Sequence, residues 1–525
     1  MTSNPGPLLV IGLDAADPGW LAQWAGEGLL PNIAGLMRRG AWAETGGPET
    51  VSEHGVWGGL LSGISRADHG HYYFRELSPG TYDLESRDAR TVDVPPFWCH
   101  PQLRDRPAVL VNVPEDRPRG ERDDVQVCHW SVHNGWDPDR YPYETVPASL
   151  APEITRRFGP PREFLEAHGT DYRDDVRRID RLMADLRAVG DLSVAMLNEH
   201  PAPLHVHVIS QTHPAGHQAW RYRPGAGNRP ADAGPDLDDA LPRIYRRADE
   251  QVGRMIEAAG EDANVCLLSS VGLRDAWPVQ GIGRAVLERL GYQVRPEETA
   301  RQVEGEGLLS VARSVARRIL PEAWRAAISG RLLSREARER IMAAQFREAI
   351  DFTRTRAFDL PTFFDSFIRL NVAGREPGGI VEDGPMRIAL LEEMRAVFLA
   401  LRDGDTGEPA TLSVSTVHDL YGDRPDPNLP DLFVRWIEGR PLRSVEHPTA
   451  GRIDIPAGSF TRVSDHSRHG FCCIAGPGIE ARGRQDPIDL LDVAPTLCRL
   501  LGVDPTPRMT GRVLDWGRGW SSDPP

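Results

Sequence analysis

Short apolar runs that end in polar residues recur along this chain and constrain its fold. Leu8–Leu13 is such a run, and Asp14 follows it directly. A fully apolar run of this length is typical of a strand that is buried on both faces of a parallel sheet. Helical patterns separate the runs, and this alternation predicts an α/β fold with a mostly parallel central sheet covered on both faces. The other runs are Ala108–Val113, Leu204–Ile209, Val265–Leu268 and Phe471–Ala475, and the helical segments are Leu30–Arg39, Arg173–Glu199, Ala240–Gly260 and Leu490–Gly502.

Charge and cysteine usage exclude several classes of partner and location. The 525-residue chain has a formal net charge of -15, which argues against nucleic acid or an anionic membrane surface as the main partner. We expect a small-molecule substrate, and a local basic pocket would allow it to be anionic. No apolar run reaches the length of about 18 residues that a transmembrane helix needs, and the N-terminus lacks the basic start of a secretory signal. Six scattered cysteines favour reduced thiols in a cytoplasmic protein. The oligomeric state is not indicated.

Two segments interrupt the strand–helix pattern and predict insertions into a discontinuous core. Residues 292–355 are rich in Arg, Ala and Glu with helical spacing, which predicts a helical insertion or cap. Residues 115–172 are rich in Pro, Asp and Arg and predict an irregular insertion near the active site. The core is then expected over 1–114, 173–291 and 356–515, with a tail at 516–525.

Histidines cluster where strands are expected to end. His213 and His217 follow the run Leu204–Ile209, and their four-residue spacing places both rings on one face if a helix begins there. Taken alone, such a pair is a weak signal, and the same holds for His466 in the segment Asp465–Gly470. The carboxyl ends of parallel strands are nevertheless the usual place for a ligand. We therefore weigh these three residues as candidate metal ligands.

Several longer motifs resemble the alkaline phosphatase superfamily, with a closer likeness to its type I phosphodiesterase/nucleotide pyrophosphatase branch. The resemblance implies an alkaline-phosphatase-like α/β/α sandwich with a mostly parallel central sheet and, in this chain, a helical insertion. It extends over most of the chain outside the two insertions. The motifs that carry it are Asp14, Leu30–Gly40, Trp57–Gly63, Arg369–Pro377, Pro430–Val434, Ile474–Ile479, Asp492–Gly502 and Gly511–Arg512.

The resemblance implies a two-metal phosphotransferase, and the residues of the first metal site are largely kept. Carried onto this sequence, the first site consists of His213, His217 and His466, with His213 standing where the family usually has Asp. Three neutral imidazoles suit a transition metal better than magnesium. We expect a divalent transition metal, zinc first, with iron or copper as alternatives.

The second metal site and the nucleophile are altered. Asp14 is kept, but Ser270 and Val271 stand where the family has an Asp-His pair, and valine cannot bind a metal. The Ser/Thr nucleophile position falls on Glu53, or on Ser52 if the loop has gained one residue. Glu53 is then a candidate fourth ligand or general base, with Asp14 as a further proton acceptor and ligand. The alternative is a purely structural role, in which Ser52, Glu53 and His54 only cap the following helix.

Five residues are candidates for contact with the substrate. His54 would assist Asp14 at what remains of the second site. Trp130 and His133 fall in a Trp-x-x-His segment that resembles one in these proteins, with a surface position or core packing as the alternative for both. Arg274 follows the altered Ser-Ser-Val-Gly segment, and Arg468 lies between His466 and His469, where it would bind an anionic group.

Three functions remain open from the sequence. The first is a phosphodiesterase or related phosphoester hydrolase that works with one metal, in which water attacks directly and no covalent intermediate forms. The second is a redox or lyase enzyme that uses three histidines and one carboxylate to hold iron or copper. The third is a catalytically silent homologue, which the loss of two ligands would explain.

Overall fold

The structure is a computed structural model, and it describes residues 6–88, 90–119, 122–132, 141–164, 169, 171–226, 229–275, 279, 281–296, 335–455 and 463–520. The chain divides into two compact units. The first contains Met1–Ser65, Asp88–Arg274 and Thr461–Pro525, and the second contains Arg66–Arg87 and Asp275–Phe460. The domain boundaries expected from the sequence stay a prediction.

A large sheet forms the centre of the first unit. Its strands are β1 (Leu8–Leu13), β2 (Gly40–Gly46), β3 (Ala108–Val111), β4 (Val125–Cys128), β5 (Glu144–Val146), β6 (Leu204–Ile209), β7 (Asn264–Ser269), β8 (Gly470–Ala475), β9 (Gly483–Arg484) and β10 (Ile488–Asp489). Their order across the sheet is β9-β2-β8-β7-β1-β6-β3-β4-β5, and the short β10 also pairs with β2.

The sheet is mostly parallel, as the alternating runs predict. β1 lies between β6 and β7 and is parallel to both, with Leu8 opposite Leu204 and Asn264. β8 departs from the repeating pattern, because it is antiparallel to both β7 and β2. The chain enters β8 from the edge at which β1, β6 and β7 end, so β8 must run back across the sheet.

Helices cover both faces of this sheet and complete the predicted α/β/α sandwich. Successive residues of β1 alternate between two apolar clusters, with Leu9 and Ile11 in one and Leu8 and Val10 in the other. Among the described residues, no helix is long and apolar enough to cross a membrane. The helices of this unit are Pro18–Gly26, Pro31–Arg39, Val56–Ser62, Leu150–Phe158, Tyr172–Glu199, Thr212–Ala219, Ala240–Ala259 and Val493–Leu500, and a two-stranded pair joins Ser131–Val132 to Arg162–Glu163.

The second unit is built on antiparallel sheets with its own apolar core. Burial alone would raise the pKa of the Asp431 carboxyl, but Arg375 and Arg387 hold it well below its usual range. Arg375 also pairs with Glu376, so this charged group is structural. The strands are Arg75–Leu77 with Leu84–Ser86; Ala357–Leu360, Asp365–Leu370, Leu432–Trp436 and Thr411–Thr416; and Arg402–Asp403, Ser444–His447 and Gly451–Asp454. The helices are Arg66–His69, Ile282–Arg289, Arg335–Glu348, Pro385–Leu399 and Val417–Tyr421.

Part of the expected helical insertion can be compared with the structure. Arg335–Glu348 forms a helix, and residues 297–334 lie outside the described residues. All six cysteines are free thiols, and all but Cys99 are buried.

Two histidines of β6, His205 and His207, are buried on one face of the sheet, away from water. His205 Nδ1 lies 3.3 Å from His207 Nε2. Burial, assisted by the charge of His200, lowers the pKa of His205 to about 4. Burial likewise holds the pKa of His207 well below the ordinary value. Both rings are therefore neutral in the folded protein near pH 7.

We expect this pair to make the protein sensitive to mild acid. An unfolded histidine has a pKa of about 6.5, so the unfolded chain takes up protons more readily and stability is lost as the pH falls from about 6.5 towards 4. For His205 the loss between pH 7 and pH 5 should be about 2 kcal/mol. Denaturant unfolding of the wild type and of the His205→Gln/His207→Gln variant at both pH values measures it. An equal loss in both proteins would assign the protons to other groups.

Candidate metal centre

Segments that are distant in the sequence meet at one edge of the large sheet. Asp14 follows β1, the loop 47–55 follows β2, and Ser270 follows β7. The helix Thr212–Ala219 begins shortly after β6 ends. Because β8 is antiparallel, the segment before it, which carries His466, lies at this same edge.

Three buried imidazoles form the centre of the site. Ring centroids are 4.6 Å apart for His213 and His466, 4.9 Å for His217 and His466, and 5.1 Å for His213 and His217. One nitrogen from each ring can be chosen so that all three lie within 4.8 Å of one another. Among the described residues this is the group of side chains that could hold a metal ion, and it contains neither Asp14 nor Glu53. The donor set fits a transition metal.

The other ring nitrogens of the helical pair face protein groups. His213 Nδ1 lies 2.9 Å from Asp14 Oδ2, and His217 Nδ1 lies 2.8 Å from Ser464 Oγ. Such contacts fix the orientation of a metal-binding imidazole and decide which nitrogen is presented to the ion. Both contacts leave Nε2 as the nitrogen that each ring can direct at the cluster.

Arg274 braces the strand that carries the third histidine. Its Nη2 donates to Asp465 Oδ2 at 2.8 Å, and its Nε donates to the His466 carbonyl at 2.9 Å. The strand Ser464–His466 also pairs with the strand that begins at Leu273. We expected Arg274 to contact the substrate from its position in the sequence. In the structure it holds the segment that carries His466 in place.

The segment after β7 contributes two hydroxyl groups that form hydrogen bonds with Asp14 and with the backbone. Ser270 Oγ donates to Asp14 Oδ1 at 3.1 Å, and Ser269 Oγ donates to the Ala16 carbonyl at 2.6 Å. Val271 is buried in the apolar cluster beneath the sheet. Trp57 adds a second donor to Asp14, since its Nε1 lies 2.8 Å from Oδ1.

The loop after β2 places Glu53 beside the cluster. Burial would raise the pKa of Glu53, but the charges of His54 and His466 hold it well below its usual range, and His54 Nε2 lies 3.3 Å away. Glu53 is therefore ionised at neutral pH. The next helix begins at Val56 with Gly55 as its N-cap and no side-chain cap, so Ser52, Glu53 and His54 do not cap it.

The two hydroxyl groups of this loop are buried. Ser52 is 1% exposed and its Oγ accepts a hydrogen bond from the His54 N–H at 3.2 Å. Thr50 Oγ1 donates to the Gly47 carbonyl at 2.9 Å. Arg468 Nη1 donates to the Thr50 carbonyl at 2.6 Å, so Arg468 links this loop to the segment that follows His466.

Of the two remaining substrate candidates, the structure describes Trp130, which lies in the apolar core. Trp130 has no exposed surface, belongs to the apolar core, and donates from Nε1 to the Gly159 carbonyl at 3.2 Å. His133 lies outside the described residues.

Sequence reasoning missed two groups of polar residues. Ser464 precedes His466 by two residues, so both side chains share one face of a strand, and this spacing was the available signal. The second group is a chain of contacts among Asn112, Ser131 and Gln211. Asn112 Oδ1 accepts from the Ser131 N–H at 3.0 Å, and Gln211 Nε2 donates to Ser131 Oγ at 2.5 Å. This chain of contacts anchors Gln211, the residue that precedes the helix of His213.

Comparison with known proteins assigns the chain to a family. The family model for type I phosphodiesterase / nucleotide pyrophosphatase matches residues 8–284, which is more than half of the chain. No curated protein matches the chain. The family assignment rests on this sequence match.

Solved structures show weak likeness over nearly the whole chain. Phosphonoacetate hydrolase from Sinorhizobium meliloti 1021, in complex with phosphonoacetate, has a TM-score of 0.49 and 13% identity, covering 95% of this chain and 96% of that one. Murine ectonucleotide pyrophosphatase / phosphodiesterase 5 has a TM-score of 0.46 and 10% identity, with the same coverage of both chains. With the motifs and the sequence match together, the chain belongs to the type I phosphodiesterase / nucleotide pyrophosphatase family of the alkaline phosphatase superfamily, a family of phosphoester hydrolases.

Proposed function

We propose that this protein is a metal-dependent phosphodiesterase that works with one metal ion held by His213, His217 and His466. The observation that carries the proposal is the convergence of three buried imidazoles, with ligand nitrogens within 4.8 Å, in a chain of this family. Neutral nitrogen donors favour zinc over magnesium, and iron and copper are the alternatives. Zinc bound there would polarise a phosphoester oxygen and lower the pKa of water.

Glu53 is the residue that we assign to the attacking water. Its carboxylate has a lowered pKa and lies close to His466. It can accept a hydrogen bond from water and orient it towards phosphorus. A carboxylate with a lowered pKa is a weak base, so orientation is the larger part of its task. As the water oxygen bonds to phosphorus, the bond from phosphorus to the leaving ester oxygen breaks. The proton that the water loses passes by way of Glu53 to the departing alkoxide, which leaves as the alcohol.

His54 and Arg468 are the residues that we assign to an anionic substrate. Both lie on the loops that flank the cluster, and Arg468 joins those loops through Thr50. The Arg468 guanidinium is positively charged, and the His54 ring can donate a hydrogen bond, so both suit a small phosphodiester. We do not assign a substrate contact to Trp130, which lies in the apolar core, or to Arg274, whose Nε and Nη2 both bind the segment of His466.

A second function remains a candidate because of the same donor set. Three imidazoles also hold iron or copper, and either ion would allow oxygen-dependent or lyase chemistry on a small metabolite. Elemental analysis of protein purified without added metals, combined with assays under air and under nitrogen, separates the two. Zinc with oxygen-independent hydrolysis supports the first function.

Removal of one ligand should abolish both metal and activity. In His217→Ala we expect bound zinc to fall from one per chain towards zero, and hydrolysis of bis(4-nitrophenyl) phosphate to fall at least about 100-fold. The exposed His418, in the second unit, provides the matched control His418→Ala. Elemental analysis and the colorimetric assay measure both effects. Full zinc content in His217→Ala would refute the assigned site.

Ser464 should affect zinc affinity because it fixes the orientation of the His217 ring. Ser464→Ala removes the Oγ contact of His217 Nδ1 without removing a ligand, so zinc affinity should fall about 10–100-fold. Competition with a chelating dye measures the affinity. Ser467→Ala, three residues along the same segment, is the control and should bind zinc like the wild type.

Direct attack by water predicts inversion at phosphorus. Ser52 and Thr50 are both buried, and each hydroxyl already has a backbone partner, which argues against either as a nucleophile. A chiral phosphorothioate diester hydrolysed in ¹⁸O-water should give the inverted product, because one displacement occurs. Ser52→Ala should keep most of the activity. Retention of configuration, or a phosphorylated protein trapped during turnover, would establish a covalent route instead.

A further inference from the structure

Asp14 makes contacts that differ from those of a metal ligand. Its side chain is 3% exposed. Oδ2 lies 2.9 Å from His213 Nδ1, while Oδ1 accepts from Trp57 Nε1 at 2.8 Å and from Ser270 Oγ at 3.1 Å. Two donors match the two lone-pair sites of Oδ1. Both oxygens of this buried carboxylate thus have donors from the protein.

The backbone of Asp14 is tied to the same strand and helix that carry His213. The Asp14 N–H donates to the Ile209 carbonyl at 3.0 Å, at the end of β6. Thr212 Oγ1 donates to the Asp14 carbonyl at 2.6 Å, and Thr212 begins the helix of His213. Side chain and main chain of Asp14 therefore fix His213 together.

The indole of Trp57 is fitted to this arrangement. A Cβ atom added to Gly12 would lie 2.7 Å from Trp57 Cη2, closer than real Cβ contacts come. Glycine at this position of β1 lets the ring lie against the strand and lets Nε1 reach Asp14. Ala15 has a φ of 51°, a left-handed conformation that costs a non-glycine residue energy and usually marks a functional turn.

We infer that Asp14 is a positioning residue that holds His213 in the tautomer with Nδ1 protonated, and that Trp57 and Ser270 stand where a second metal would need the Asp14 carboxylate. The inference rests on the proposed function, because it assumes that His213 binds the metal. A carboxylate behind a metal-binding histidine fixes the ring and makes its other nitrogen a better ligand. The site then takes one ion.

The arrangement also accounts for a buried negative charge. A buried carboxylate is costly unless it is paired or hydrogen-bonded, and Asp14 has three donors within 3.1 Å. A second cation at Asp14 would have to displace the donors on Oδ1, and neither Ser270 nor Val271 offers a carboxylate or an imidazole to hold it. The inference therefore replaces the metal-ligand role that the sequence pattern predicts for Asp14.

Zinc titration of the full-length apoprotein tests this role. We expect one zinc per chain in the wild type. Asp14→Asn should still bind one, about 10–100-fold more weakly, and Ser270→Ala and Trp57→Phe should each bind one. Asp17→Asn is the matched control, because Asp17 accepts from the Trp20 and Leu273 N–H groups and should leave zinc affinity unchanged. Circular dichroism checks that each variant is folded.

A spectroscopic readout separates orientation from general stability. In apoprotein labelled with ¹⁵N-histidine, the His213 Nδ1 proton should give a downfield NMR signal, because it is bonded to a carboxylate. The signal should be absent in His213→Gln and shifted or lost in Asp14→Asn. It should persist in Asp17→Asn. If Asp14→Asn does not fold, Trp57→Phe and Ser270→Ala still report the zinc count and the signal.

The outcomes distinguish this inference from the proposed function. Two zinc ions in the wild type, with one lost in Asp14→Asn, would overturn the inference while hydrolysis of bis(4-nitrophenyl) phosphate left the function standing. Unchanged affinity in a folded Asp14→Asn would also overturn it. One zinc, weakened as expected, without hydrolysis would refute the function and support the inference. A wild type that binds no zinc would overturn both.

Discussion

The antiparallel direction of β8 is the constraint on which the metal centre depends. Its neighbours β7 and β2 both run the other way, so the residue before β8 lies where those strands end. His466 thereby meets the helix that follows β6, although it is about 250 positions further along the chain. A parallel strand at this place would put His466 at the opposite edge of the sheet. The three-histidine cluster would then lack its third member.

The three histidines depend on neighbouring residues that fix their orientation. Asp14 and Ser464 orient His213 and His217, and Arg274 holds the strand of His466 through its carbonyl group. Each contact joins segments far apart in the sequence, so the centre is assembled only in the folded unit. At Asp14, the segment after β7 contributes the hydroxyl group of Ser270, where the family resemblance implies a pair of metal ligands.

Local sequence patterns predict the secondary-structure elements well, but they predict few of the side-chain contacts. The bounds of β1 and β6 agree with their apolar runs, because a fully buried parallel strand is read directly from composition. The three histidines could be brought together only with the family resemblance, since each spacing is weak alone. The sequence of Phe471–Ala475 does not indicate the direction of β8, because a buried strand has the same apolar composition whether it runs parallel or antiparallel to its neighbours. The burial of Trp130 and the bonds of Arg274 depend on partners that no local spacing specifies.

Charge balance supports the single ion that we propose for this site. A divalent cation bound by three neutral imidazoles has two positive charges, and the ionised Glu53 and the hydrogen-bonded Asp14 carboxylate offset both. A second divalent cation without the lost Asp-His pair would leave the buried site with uncompensated positive charge, which is costly in a low-dielectric interior. Trp57 and Ser270 instead satisfy Asp14 with neutral donors. In the proposed site, one ion at the histidines and neutral donors at Asp14 are thus two parts of one arrangement.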